Sequence, residues 1–208
     1  MNVFVSGGAK NGKSMFAQKT ARDMAEEKGL PLYYIATMIP RDHEDRERIA
    51  RHRREREGWG FETIECGEGL AGLLDGFVGA TETGDEAGSP HRDEAAGMAP
   101  QGVFLLDSVT ALLSNEMFRE DGSVDHEAPE RVAEDCVAFA KATKNTVFVS
   151  DYIYGDGIGY DKLSEEYRHG LAMIDRRLAQ VCERVVEVSA GIVEDWKQDG
   201  RDARQTGA

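Results

Sequence analysis

The sequence predicts an α/β domain whose mainly parallel central sheet carries helices on both faces. Two observations lead there. Short apolar runs with strand character alternate along the chain with segments of helical periodicity, the pattern of βαβ units. The first such run, Asn2 to Ser6, also passes directly into a glycine-rich turn and then into a helix.

That opening stretch carries the clearest chemistry. Gly7-Gly8-Ala9-Lys10-Asn11-Gly12-Lys13-Ser14 fits G-x-x-x-x-G-K-[ST] at every fixed position. Glycines let the backbone wrap so that successive N–H groups point at phosphate oxygens, and the following helix adds the positive end of its dipole. Lys13 is expected to reach the β- and γ-phosphates, and the Ser14 hydroxyl to ligate Mg²⁺. The helix context is present: Phe16/Ala17, Thr20/Ala21 and Met24/Ala25 recur every four residues before Gly29 stops them. The chain is expected to bind a nucleotide.

Leu32 to Ala36 reads as a second strand that ends at Thr37, where open α/β sheets bind ligands. Arg41 to Glu57 then holds seven arginines and six acids with almost nothing apolar. Its acids crowd the first half and its cations the second, the order that suits a helix dipole. A helix so polar cannot owe its stability to burial in a core. A solvated helix laced with ion pairs is one reading. The other is functional, because Arg48, His52 and Arg56 fall four apart and share one face. Like charge disfavours a proton on an imidazole set among guanidiniums, which leaves His52 a candidate nucleophile with phosphate-binding groups beside it.

Trp59 to Cys66 suggests a short strand and Leu70 to Phe77 a brief helical piece. Thr81 to Pro100 is rich in Gly, Ala, Glu and Pro, with Met98 as its one large apolar residue, and is expected to be a mobile surface insertion. Val103 to Asp107 has the form of a Walker-B strand, whose terminal carboxylate helps hold Mg²⁺. Val132, Cys136 and Phe139 mark a further helix, and Thr146 to Asp151 a buried strand that again ends in an acid. The glycine-rich Tyr154 to Gly159 follows at that strand's end. Leu163, Tyr167, Leu171, Ile174, Leu178 and Val181 trace a long helical stripe, and Arg184 to Ser189 gives the last strand expected. Residues 1–193 read as one domain, and residues 194–208 as a polar, frayed tail.

The bulk numbers narrow the classes. A formal net charge of −14 over 208 residues argues against nucleic-acid binding, which wants a basic face. The three cysteines, Cys66, Cys136 and Cys182, show no metal or disulfide spacing and read as small buried hydrophobes in a reducing compartment. No signal peptide and no apolar run of membrane-spanning length stands out, so the expected location is the cytoplasm, with no membrane insertion. No N-K-x-D occurs, which argues against a switch GTPase, and the chain is small for a motor.

Several motifs in order carry a resemblance. GGAKNGKS is followed by YIAT, by R-I-x-x-H-x-x-x-R at Arg48 to Arg56, by the aromatic-x-T-x-E of Phe61 to Glu65, by LLDSVTALLSN, by G-x-G-I at Gly155 to Ile158, and by a closing VEVSAGI. This resembles the bifunctional adenosylcobinamide kinase / adenosylcobinamide-phosphate guanylyltransferase family of cobalamin biosynthesis, over nearly the whole chain except the insertion and the tail. The resemblance implies a RecA-like P-loop NTPase fold and two reactions. A nucleoside triphosphate, ATP or GTP, phosphorylates adenosylcobinamide. A histidine, matched here by His52, then takes GMP from GTP and passes it to the cobinamide phosphate. Lys13 is the second residue implied in catalysis. Residues matching the family's nucleotide contacts are the P-loop from Gly7 to Ser14, Ala36, Thr37, Met38, Arg53, Arg54, Glu55, Arg56, Glu65 and Asp107, with Ser14 and Asp107 on Mg²⁺. Similar proteins form homo-oligomers, typically trimers. The chain departs from the family at Ser150-Asp151-Tyr152, where Thr-Asn-Glu is common, at Asp107, where Glu also occurs, and in the insertion. A P-loop kinase without the transferase step, or a nucleotide-dependent regulatory protein, stands as the alternative.

Overall fold

A computed structural model describes residues 1–75 and 101–202, except for the side chains of Arg48, Glu55 and Asp202. The segment expected to be a mobile insertion therefore lies outside the described residues, as does the shared face of the polar helix where it depends on Arg48.

The element order is β1 (Val3–Gly7), α1 (Lys13–Lys28), β2 (Leu32–Ala36), α2 (His43–Glu55), β3 (Phe61–Glu65), β4 (Val103–Asp107), α3 (Val109–Met117), α4 (Ala128–Thr143), β5 (Thr146–Asp151), α5 (Lys162–Val181), β6 (Arg184–Ser189), β7 (Ile192–Gln198) and β8 (Arg201–Asp202). The strands form one sheet in the order β3-β2-β4-β5-β1-β6-β7-β8. β1 to β6 run parallel, so β5 separates the P-loop strand β1 from β4, the strand that ends in Asp107. The expected α/β architecture is present.

Successive residues of a strand face opposite sides, so the sheet builds two apolar layers. On one side Val3, Val5, Leu105, Val147 and Val149 meet Ala17, Ala21 and Met24 of α1. On the other, Phe4, Phe104, Leu106 and Phe148 meet Leu112 and Leu113 of α3, Val132 and Phe139 of α4, and Ile174 and Leu178 of α5. The small face of α1 lets that helix lie close to the sheet, and its last turn ends at Gly29 in a left-handed conformation (φ 61°). The three cysteines are buried and unpaired, as expected.

The polar tail is a correction. Ile192 to Gln198 pairs antiparallel with β6, and β8 pairs antiparallel with β7. Side chains explain the order: Arg184 donates two hydrogen bonds to Asp195 (2.6 and 3.1 Å), and Lys197 donates to the carbonyls of Ala179 and Gln180 at the end of α5. α3 was likewise not anticipated. It starts where the Ser108 hydroxyl accepts from Ala111 N–H.

Candidate active site

The parallel strands end in register along one edge. Ala36 stands opposite both Glu65 and Asp107, and Gly7 opposite Asp151 and Val188. The turn after β1 is tied to that edge. Asn11 Nδ2 donates to the carbonyl of Val188, Gly191 N–H donates to Asn11 O (3.2 Å), and Asn11 Oδ1 accepts from Lys13 N–H (3.2 Å). Gly7 is required, because a Cβ there would collide with the carbonyl oxygen of Val188. Gly12 adopts a left-handed φ of 95° that turns the chain into α1. Lys13 is only 8% exposed; its ammonium lies 2.5 Å from Asp151 Oδ1 and donates to Gly8 O (3.2 Å).

α2 closes over this edge. Asp42 caps its first turn by accepting from Asp45 N–H (2.9 Å), with Glu44 and Asp45 at the positive end of the dipole and His52, Arg53 and Arg54 at the negative end. Its far end is pinned by Arg56, which is 6% exposed with its guanidinium 3.4 Å from the centre of the Tyr34 ring. Arg53 pairs with Glu65 at the end of β3. The helix therefore forms a wall of a cleft of about 360 Å³ that the P-loop also lines.

Of the residues predicted for the site, Ala9, Lys10, Asn11, Gly12, Lys13, Ser14, Ala36, Met38, His52, Arg53, Arg56, Glu65 and Asp107 line this one cleft. The others do not. Gly7 is buried at the end of β1, and Gly8 is exposed in the loop, its carbonyl accepting from Lys13 (3.2 Å). Arg54 is exposed, and the side chain of Glu55 lies outside the described residues. Thr37 is fully buried and acts as a brace, its hydroxyl donating to Ser108 O (2.8 Å) and accepting from Ser108 N–H (2.7 Å). Sequence reasoning missed Tyr34 and Asp151, both lining the cleft. An acid at the end of β5 was visible, but its pairing with Lys13 depends on β5 lying beside β1.

The electrostatics centre on Asp107. Burial pushes its carboxyl above the ordinary range, opposed by the hydrogen bond it accepts from Tyr34 Oη (3.1 Å) and by the nearby Lys13 ammonium. Burial also raises the Tyr34 phenol, so it stays a donor. Arg56 keeps a buried nitrogen, Nη1, with no acceptor among the described residues. An unmet cationic donor in a cleft suits a phosphate or a nucleobase oxygen. Ser14 and Asp107 offer one hydroxyl and one carboxylate. Among the described residues no group of three or more His, Cys, Asp or Glu side chains could hold a metal unaided. That donor set fits Mg²⁺, which keeps several waters and takes its remaining ligands from phosphates.

A glycine loop between strand and helix at the carboxyl edge of a parallel sheet, with an acid on a nearby strand, defines a P-loop NTPase fold. The ATPase domain of G40P shares it, with a TM-score of 0.50 at 11% identity over 95% of this chain and 77% of that one. The family described as cobinamide kinase / cobinamide phosphate guanyltransferase matches residues 3–83 and 87–195, and the chain belongs to it. The bifunctional adenosylcobalamin biosynthesis protein CobU of Salmonella typhimurium is 26% identical over 202 residues, covering 92% of this chain and 97% of that protein. CobP of Pseudomonas aeruginosa, of the same description, is 28% identical over 193 residues, covering 92% and 95%. Among the described residues no helix is long and apolar enough to cross a membrane.

Proposed function

We propose that the protein acts in adenosylcobalamin biosynthesis as a two-step enzyme. It phosphorylates adenosylcobinamide with a nucleoside triphosphate. It then transfers GMP from GTP, through a guanylylated His52, to adenosylcobinamide phosphate, giving adenosylcobinamide-GDP. The observation that carries this reading is that His52 lines the same cleft as Lys13 and Ser14. Family membership and the names of the two relatives support it.

In this reading the backbone from Ala9 to Gly12 cradles the phosphates and Lys13 binds the β- and γ-oxygens. Ser14 and Asp107 would hold Mg²⁺, which would supply neutralisation of the phosphate charge. An imidazole nitrogen of His52 attacks the α-phosphorus and pyrophosphate leaves. A phosphate oxygen of adenosylcobinamide phosphate next attacks that phosphorus and displaces the histidine, so one difficult displacement becomes two easier ones. Arg53 and Arg56 stabilise the charge that develops on the phosphoryl oxygens. The oligomer proposed is a homotrimer, and the location the cytoplasm.

Intact-protein mass spectrometry after incubation with Mg²⁺ and GTP tests the transferase step. A GMP-sized, acid-labile gain in the wild type, absent in His52→Ala, is expected. No gain in the wild type, with adenosylcobinamide still phosphorylated, would leave a kinase and remove His52 as nucleophile.

A further inference from the structure

Resting only on the part of that reading that seats a nucleoside triphosphate on the P-loop, we propose that Asp151 sets the affinity of the site for polyphosphates. Its carboxylate competes with the β- and γ-phosphates for Lys13, so a nucleotide binds against an ion pair that the protein already makes. Asp151 is a positioning residue, and it acts through Lys13.

The fold holds the carboxylate in place. Asp151 ends β5 opposite Gly7 of β1, its N–H donates to Thr110 Oγ1 of α3 (2.8 Å), and the next N–H, of Tyr152, donates to Gly7 O (2.9 Å). The strand end is thus locked against the root of the P-loop. Lys13, the first residue of α1, reaches it with an ammonium 2.5 Å from Asp151 Oδ1 and 3.2 Å from Gly8 O. An ammonium has three N–H donors, and these contacts occupy two of them. The side chains are only 9% and 29% exposed, so water and salt screen the pair less than one on the open surface.

A P-loop lysine bonds the β- and γ-phosphates. Phosphates can engage this one in two ways, and both lower affinity. If the ammonium leaves Asp151, a partly buried carboxylate loses its partner. If it stays and bridges, carboxylate and phosphates crowd like charge onto one cation. A neutral side chain of the same shape imposes neither cost. The other acids lining the cleft have partners of their own: Glu65 is engaged by Arg53, and Asp107 accepts the Tyr34 hydroxyl. The two-step chemistry does not require a charge at the end of β5, since Asn is common there in the family; what Asp151 changes is how tightly this chain holds its nucleotide. The effect is confined to ligands with a β- or γ-phosphate. GMP has neither and does not compete for the ammonium.

The test measures the Kd of GTP and of GMP by calorimetry for wild type, Asp151→Asn and Asp151→Glu, in EDTA so that no GMP is transferred. In Asp151→Asn the Kd of GTP is expected to fall about tenfold, the scale of one hydrogen bond to a charged group. The Kd of GMP should stay within twofold of wild type, and Asp151→Glu, which keeps a carboxylate, should bind GTP more weakly than Asp151→Asn. With Mg²⁺ present, the GTP concentration that half-saturates adduct formation should fall with the Kd. An unchanged or weaker affinity for GTP in Asp151→Asn would make Asp151 a support for Lys13 and overturn the proposal. Equal tightening of GTP and GMP would overturn it too, because the effect would not pass through Lys13. A wild type that binds GTP but forms no adduct would remove His52 as nucleophile and leave the Kd comparison to decide the role of Asp151. A wild type that binds no GTP would overturn the nucleotide reading and this proposal together.

Discussion

The strand ends that carry Gly7, Asp107 and Asp151 emerge from two apolar layers, and residues such as Val5, Leu106 and Phe148 just behind them are fully buried. α2 brings His52 and Arg56 to the same cleft with Ile49 as its one large apolar residue. The floor is positioned by the hydrophobic core, whose disruption is felt by the whole domain. The cover is positioned by a cap, an ion pair and one guanidinium lying on a phenol ring. In the proposed reading, the groups that hold the phosphates are built into the floor, and His52, which meets and leaves an α-phosphate, is on the part held by few contacts.

Three measurements break or sharpen that contrast. The largest effect is expected from Phe148→Ala, which empties a fully buried site between the sheet and the helices. It should lower global stability by about 3–5 kcal/mol, read by urea denaturation at constant m. A loss under about 1 kcal/mol would deny the floor its core-fixed character.

Next comes Asp175 on α5, a polar group within that scaffold. It is buried, accepts from Ser150 Oγ (3.1 Å) and Tyr154 Oη (2.9 Å), and burial pushes its carboxyl from 3.8 up to about 7. The folded state keeps this proton between pH ~4 and ~7 while the unfolded chain has lost it, so stability falls as pH rises through that window and levels off above it. The full change is about 4 kcal/mol by the size of the shift. Asp175→Asn should flatten this slope and gain over wild type most at pH 8, measured by denaturation at several pH values. An unchanged slope would place the titration elsewhere.

The smallest effect on the fold is expected from Arg56→Ala. The desolvated guanidinium–ring contact contributes about 2 kcal/mol, but to the docking of α2. Amides of α2 should exchange faster with solvent while the urea midpoint stays near that of wild type. A midpoint shift as large as that of Phe148→Ala would make α2 part of the core and erase the contrast.

The same division decides what was legible in the sequence. The floor is written in local code: a P-loop between strand and helix, apolar strand runs, and the stripe of α5. α2 was legible as a helix and its His52 as a candidate, because charge order and spacing are local as well. Its seat was not, since the contact that fixes it joins Arg56 to Tyr34 on another element. Asp151 and Lys13 likewise meet only because β5 inserts beside β1. α3 is nine residues long and largely apolar, and periodicity over so short a run does not separate helix from strand. β7 failed differently. Its polar, exposed residues read as tail, and its strand form comes from pairing with β6 and from the Arg184–Asp195 contact.

The placement of Arg56 at the C-terminal end of α2 makes the helix a lever with its fulcrum at the wall of the cleft. His52 lies four residues from that fulcrum, about 6 Å along the axis, and Asp42 fourteen residues away, about 21 Å. A tilt of about 10° therefore moves His52 by about 1 Å and the Asp42 end by almost 4 Å at the helical rise of 1.5 Å per residue. Resisting it at the far end is an exposed hydrogen bond from Arg41 to Phe118 O. The mouth of the cleft can widen by more than an atom's diameter while the imidazole moves by about 1 Å, so in the proposed two-step reading admitting a bulky acceptor and holding a nucleophile in line do not conflict.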